Sequence, residues 1–148
     1  MMLNASPTQE DYLEVILRLL DQLGNARVRD IAHELAVHKS TVSAALRVLA
    51  AKNLVSYAPY EAVSLTPDGR NVAEAVLRRH AMIKKFLVEV LAVPEDSAEA
   101  TACRLEHHVG PAVVQRIEAF LSFVHRSPSG RRIHSEFRRY LRKKGKAS

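Results

Sequence analysis

The stretch Val28-Arg29-Asp30-Ile31-Ala32-His33-Glu34-Leu35-Ala36-Val37-His38-Lys39-Ser40-Thr41-Val42-Ser43-Ala44-Ala45-Leu46-Arg47-Val48-Leu49 decides the fold. Val28, Ile31, Ala32 and Leu35 share one face of a short helix expected over residues 28–36. Ala36-Val37-His38 is a tight turn, and Lys39-Ser40-Thr41 opens a helix that turns Val42, Ala45, Leu46 and Leu49 inward. Two short helices joined in this way make a helix-turn-helix. Downstream, the β-prone runs Leu54-Val55-Ser56-Tyr57 and Ala62-Val63-Ser64-Leu65 flank Ala58-Pro59-Tyr60-Glu61, a hairpin the size of a wing. Upstream, Ser6-Pro7-Thr8-Gln9 offers an N-cap, a proline at the first helical position and a glutamine that can close a capping box. Leu13, Ile16, Leu17, Leu20 and Leu23 follow at helical spacing until Gly24 and Asn25. Helix, helix-turn-helix and hairpin in that order describe a winged helix.

Beyond the hairpin the pattern is helical. Thr66-Pro67 starts a long helix, with Val72, Val76, Ile83, Leu87 and Val90 in period to about Leu91. Pro94 opens another, expected to run to His108 and stop at Gly110. Pro111 opens a third, with Val114, Ile117, Leu121 and Val124 inward, and Ser127-Pro128 opens a last, basic segment. The expected fold class is therefore mainly α. A winged-helix DNA-binding domain occupies residues 1–66, and a helical metal-binding and dimerisation domain with a basic C-terminal segment occupies residues 67–148.

Composition narrows the function. Of 148 residues, 22 are Lys or Arg and 16 are Asp or Glu, a net charge of +6 that favours a polyanionic partner such as nucleic acid. A single cysteine excludes an intrachain disulfide framework and fits a reducing cytoplasm. No apolar run approaches the roughly 20 residues that span a bilayer, and the N-terminus lacks the pattern of a signal peptide.

Lys39, Ser40, Thr41, Ser43 and Arg47 are the polar positions of the third helix and the candidate DNA contacts. In a helix-turn-helix the start of this helix meets base edges and its amides meet phosphate. Arg47 can reach phosphate or guanine, whereas Ser and Thr offer little bidentate readout. The plainer alternative is a solvated helix face. Arg131, Arg132, Arg138, Arg139, Arg142, Lys143, Lys144 and Lys146 crowd the C-terminal segment with Glu136. They either add DNA affinity without specificity, pack on a dimer, or form a solvated face.

Cys103, Glu106 and His107, at i, i+3 and i+4, are expected on one helix face. Thiolate, carboxylate and imidazole there make half of a transition-metal site. Asp11 and Glu14 form an acidic pair on the first helix, and His80 sits on the long one. Each has a structural alternative. The acidic pair suits the positive end of a helix, His80 can be a packed histidine, and Cys103 a small core residue.

Thr8-Gln9-Glu10-Asp11-Tyr12-Leu13-Glu14, Val28-Arg29-Asp30-Ile31-Ala32, Lys39-Ser40-Thr41-Val42-Ser43, Leu65-Thr66-Pro67-Asp68-Gly69-Arg70, Arg78-Arg79-His80 and Ala102-Cys103-Arg104-Leu105-Glu106-His107-His108-Val109 occur in one order. In these stretches the chain resembles the diphtheria-toxin-repressor and manganese-transport-regulator family of metal-dependent repressors, over residues 6–121. The resemblance implies a homodimer with metal sites between two domains. It also implies Asp11, Glu14, His80, Cys103, Glu106 and His107 as ligands. In the iron-type branch a methionine stands in place of Asp11 and a cysteine at Cys103; the manganese-type branch is acidic at both. Lys84 and Glu99 stand where the iron-type ancillary site has an acidic residue and a histidine. The chain resembles the shorter, manganese-type form without an SH3-like third domain.

The expected cofactor is thus a divalent transition metal. Asp11, Glu14 and Glu106 suit Mn2+, and the Cys103 thiolate suits Fe2+ or Zn2+. The expected function is a regulator whose bound metal ties the two domains and fixes the recognition helices to double-stranded DNA. The operator would be a palindrome with half-sites spaced by whole helical turns. Repression of metal-uptake genes follows from the resemblance. The alternatives are a winged-helix regulator responding to Zn2+ or a non-metal signal, and a metallohydrolase. The chain has no His-Glu-x-x-His motif to support the hydrolase.

Overall fold

The computed structural model describes residues 5–145. Packing divides the chain into two compact units, the first ending at Arg78 and the second beginning at Arg79.

The first unit begins with α1 (Pro7–Leu23). The Ser6 hydroxyl accepts from the Gln9 amide at 3.3 Å and Gln9 Oε1 accepts from the Ser6 amide at 3.1 Å, closing the capping box. Gly24 ends the helix at φ 72°, a left-handed conformation that suits a residue without Cβ. Next come α2 (Val28–Glu34) and α3 (Lys39–Ala51). α2 stops short of the expected 28–36. The Ala36 amide turns back to His33 O at 3.2 Å and the Val37 amide to Ala32 O at 3.1 Å, with Ala36 left-handed at φ 52°. Leu13, Ile16, Ile31, Val42, Leu46 and Leu49 are all sealed from solvent in the core joining the three helices.

The hairpin is smaller than its sequence suggests. β1 (Val55–Ser56) pairs antiparallel with β2 (Ser64–Leu65), Val55 opposite Leu65 and Ser56 opposite Ser64. Val63 leaves this ladder because its amide bonds Ala26 O at 2.7 Å, tying the wing to the residue pair before α2. Tyr60 turns the tip at φ 68°. Thr66 starts α4 (Pro67–Lys85): its hydroxyl accepts from the Gly69 amide at 3.0 Å and donates to Asn53 O at 2.7 Å. Gly69 is buried, and a Cβ there would strike the Leu54 carbonyl oxygen.

In the second unit the long helix does not run unbroken to Leu91. After Lys85 it widens into a π-helical turn, Phe86–Val90. Leu91 N reaches back to Phe86 O at 3.3 Å and Val93 N to Leu87 O at 2.9 Å, with Ala92 left-handed at φ 56°. The Glu89 carbonyl, which a regular helix would pair with Val93, instead accepts from His134 Nε2 at 2.6 Å and Arg138 Nη1 at 3.4 Å. Side-chain donors from the last helix thus satisfy a carbonyl that the helix end leaves without a backbone partner.

Three helices follow: α5 (Glu95–Leu105), α6 (Pro111–Arg126) and α7 (Pro128–Gly145). Pro94 is the N-cap of α5 rather than its first residue, and α5 ends before His108 as the chain turns over residues 106–108. Val90, Leu121 and Val124 form the buried cluster, backed by Met82, Phe86 and Ile117. Val114 is half-buried. The basic segment is the helix α7, whose Gly130 sits against the Phe123 carbonyl of α6. No helix among the described residues is long and apolar enough to cross a membrane.

Candidate metal centre and nucleic-acid interface

The inward stripe of α5 is Ala98, Ala102 and, at its C-cap, Glu106, spaced one helical turn apart and 0–1% exposed. Glu106 is the buried charged side chain among the described residues. Burying a carboxylate is costly unless charge or hydrogen bonding compensates it. Here Glu106 Oε2 lies 2.6 Å from His80 Nδ1 of α4, and Oε1 lies 3.3 Å from His107 Nε2. The His80 and His107 side chains are themselves 17% and 7% exposed.

The network continues outward. His80 Nε2 lies 3.1 Å from Glu99 Oε1, and Lys84 Nζ bridges Glu99 Oε2 at 2.9 Å and Glu95 Oε1 at 3.2 Å. Hydrogen bonding to Glu99, then to Glu95, raises the Lys84 ammonium above its ordinary pKa. The Lys84 hydrogen bond, with a smaller contribution from His80, lowers the Glu99 carboxyl. This ion-paired arm was not read as part of the site from sequence. Its signal was the i, i+4 spacing of His80 with Lys84 on α4 and of Glu95 with Glu99 on α5.

Of the expected ligands, the structure brings together His80, Glu106 and His107. Cys103 does not share their burial. It follows Ala102 by one residue, about 100° around the helix from the inward stripe, and is exposed. Asp11 and Glu14 are half-buried on α1 in the first unit. Among the described residues no group of three or more His, Cys, Asp or Glu side chains is arranged so that it could hold a metal ion. The chemistry nevertheless fits a divalent transition ion. Two imidazoles beside a carboxylate withdrawn from water are nitrogen and oxygen donors of the kind such ions take.

The DNA-facing candidates lie in the first unit. Lys39, Ser40, Thr41 and Arg47 of α3 are exposed and Ser43 is half-buried, its hydroxyl 3.4 Å from Tyr57 OH of the wing. His38, the N-cap of α3, makes no side-chain capping bond. A cleft of about 560 Å³ opens between helix-turn-helix and wing, lined on its basic side by Arg27, Arg29, Lys39 and Arg47. Arg27 and Arg29 precede or begin α2 and were missed in sequence. Arg27 directly follows Ala26, which pairs with Val63 of the wing.

A winged helix-turn-helix followed by a helical unit with a buried carboxylate between histidines defines a metal-responsive, DNA-binding transcriptional regulator. Family comparison agrees. Residues 4–63 match the iron-dependent repressor N-terminal DNA-binding domain, and residues 66–135 match the iron-dependent repressor metal-binding and dimerisation domain. The chain belongs to the iron-dependent repressor family.

It is 33% identical over 122 residues to the HTH-type transcriptional regulator MntR of Bacillus pumilus, spanning 82% of this chain and 84% of that one. With MntR of Geobacillus kaustophilus it shares 34% identity over 112 residues, 76% of this chain and 79% of the relative. Among solved structures, a manganese-dependent transcriptional repressor in complex with manganese superposes with a TM-score of 0.71 at 35% identity, over 78% of this chain and 53% of that one. IdeR of T. acidophilum superposes with a TM-score of 0.65 at 27% identity, over 73% and 51%. The chain thus spans about half the length of these solved repressors. These relatives are regulators, not enzymes.

Proposed function

We propose that this protein is a homodimeric repressor that binds its operator when loaded with Mn2+ or Fe2+ and silences metal-uptake genes in the cytoplasm. One observation carries the reading: the buried Glu106 carboxylate faces two imidazoles inside the domain that the family uses for metal. His80, Glu106 and His107 would hold the ion, Cys103 would add a thiolate from its exposed edge, and Asp11 and Glu14 would be the ligands supplied by the DNA-binding unit. The ion would supply concentrated positive charge to acidic groups that otherwise repel. His80 and Glu106 already hold each other at the site, so less ordering remains when it fills. Restricting the protein to its DNA-competent arrangement raises apparent operator affinity. The operator would be a palindrome matched to the dimer.

The test is a gel shift on the operator with Mn2+, with anaerobic Fe2+, with Zn2+ and with EDTA. Tight binding in Mn2+ or Fe2+ and its loss in EDTA are expected. Equal affinity in EDTA would sink metal dependence and favour a non-metal signal.

Arg47→Ala is expected to weaken operator binding, leave metal affinity unchanged, and flatten the salt-dependence slope by about 1, the value of one phosphate contact. A titration series at several salt concentrations checks this, and an unaltered slope would remove Arg47 from the interface. Cys103 has its own test. If it ligates, the Co2+-loaded protein shows a thiolate charge-transfer band that Cys103→Ser abolishes. Absence of that band in fully loaded wild type leaves nitrogen and oxygen donors, which suit Mn2+.

A further inference from the structure

We infer that the exposed basic face of α7 is a second DNA-binding surface, one that holds the phosphate backbone of duplex DNA without reading its sequence. The inference rests on the reading of the chain as a DNA-binding regulator and does not use the metal. Between Pro128 and Gly145 lie seven Lys or Arg residues and one acid, Glu136, an excess of +6. That equals the formal net charge of all 148 residues, so the rest of the chain is balanced. Positive charge gathered on one helix is the electrostatic footprint of a site for a polyanion.

The helix is held in place along one side. Gly130 is buried against the Phe123 carbonyl of α6, and His134 and Arg138 bond the Glu89 carbonyl. Arg131 Nη1 reaches the His125 and Arg126 carbonyls, both at 3.2 Å. Arg139, Arg142 and Lys143, at i, i+3 and i+4, share an exposed face. Like charges at this spacing repel and weaken a helix. Elsewhere the molecule offsets helical cations with acids: Glu74 lies 3.9 Å from Arg70 and 3.8 Å from Arg78, and Lys84 bridges Glu95 and Glu99. On α7 Glu136 lies 3.9 Å from Arg132, and Arg139, Arg142 and Lys143 have no acidic partner among the described residues. A phosphate backbone supplies the missing anions, and a helix already ordered meets it with little further ordering cost. Lipid headgroups also offer anions, but an interfacial helix lays its apolar stripe into the bilayer. Here Phe137 lines one apolar pocket with Phe120 and Val124 of α6, which favours DNA.

The experiment measures the full-length chain, in Mn2+ and in EDTA, on a random-sequence duplex and on the operator over a range of salt, by fluorescence anisotropy. The triple variant Arg139→Gln, Arg142→Gln, Lys143→Gln places good helix formers at exposed positions. It is expected to weaken random-duplex binding on the order of 10–100-fold near physiological salt and to reduce the magnitude of the salt slope by about 2–3. The ratio of operator to random affinity in Mn2+ does not fall, because backbone contacts carry no sequence information. Arg139→Lys with Arg142→Lys retains the charge and binds as wild type. Removing the same charge elsewhere in the unit, by Arg104→Gln, Arg116→Gln and Arg126→Gln, leaves the slope in place. An unaltered slope in the α7 variant, an equal loss in that control, or a fallen operator-to-random ratio overturns the inference. So does lost binding to phosphatidylglycerol vesicles with duplex affinity unchanged, which makes the face a membrane surface. A random-duplex effect that appears while operator binding ignores metal supports the inference and fails the metal-dependent function. A wild type that binds no duplex at all overturns both.

Discussion

Glu106→Ala is expected to reduce operator affinity in saturating Mn2+ to the level seen in chelator, with a loss of metal affinity on the order of 100-fold or more. That is at least the upper end of what losing an outer-shell partner costs. The residue sits at the C-cap of α5 with 1% exposure, so its carboxylate is placed for contacts inside the unit and not for solubility. Removing one member of a buried charged group costs stability, so Glu106→Gln, which keeps the volume and an acceptor oxygen, is measured beside it. Circular dichroism at the assay temperature is expected to show wild-type helix content for Glu106→Gln while calorimetry shows the lost binding. His107→Ala should act in the same direction. If Glu106→Ala responds normally to Mn2+, Glu106 is a structural partner of two histidines and the ligand assignment falls.

Gly69→Ala is expected to lower the stability of the DNA-binding unit by about 3 kcal/mol, the upper range for forcing extra volume into a packed site. Two effects oppose each other. Alanine in a helix is favoured over glycine by roughly 1 kcal/mol. Against this, the new Cβ would run into the Leu54 carbonyl oxygen, with the Leu54 carbonyl carbon 2.8 Å away. The obstacle is backbone and cannot rotate aside as a side chain would, so the collision wins. Separating α4 from the residue before β1 also loosens the Thr66–Asn53 and Thr66–Leu54 bonds that seat the wing. A thermal melt should show a drop of more than about 10 °C for a unit of this size, with weakened operator binding at the original temperature. A rise in the melting point would mean that α4 shifts freely and the close approach is unimportant.

What could be read from sequence was governed by local periodicity. The Ser6–Gln9 box, the Gly24 stop, the inward residues Val42, Leu46 and Leu49, and the Thr66–Pro67 start depend on neighbours within a turn or two. They stand in the structure as their spacing predicts. The misses came from contacts that spacing does not encode. The π-helical turn ends where His134 and Arg138, more than forty residues away, bond to the Glu89 carbonyl, a contact invisible to local spacing. The wing shortened because Val63 pairs with Ala26.

At the site, i, i+3, i+4 spacing placed Cys103 with Glu106 and His107. In the structure Ala98, Ala102 and Glu106 are the buried residues of this stretch and Cys103 is exposed, a difference in burial that spacing alone does not give. The Lys84–Glu99 arm was present as charges at helical spacing, but which residue of α5 each basic group of α4 meets is decided by tertiary packing.

The sparse interior of the second unit links folding to abundance. Its apolar cluster consists of Val90, Leu121 and Val124, while Phe120, Phe123, Leu105, Val113 and Ile133 remain 37–52% exposed. Side chains of that size gain about 1.5–3 kcal/mol each when fully withdrawn from water. A second copy covering them would contribute stability that a lone chain lacks, and the melting temperature would rise with protein concentration. Cellular copy number would then be a variable in metal sensing, because dilution below the concentration at which chains pair would withdraw that stability from the unit that carries the histidines and Glu106.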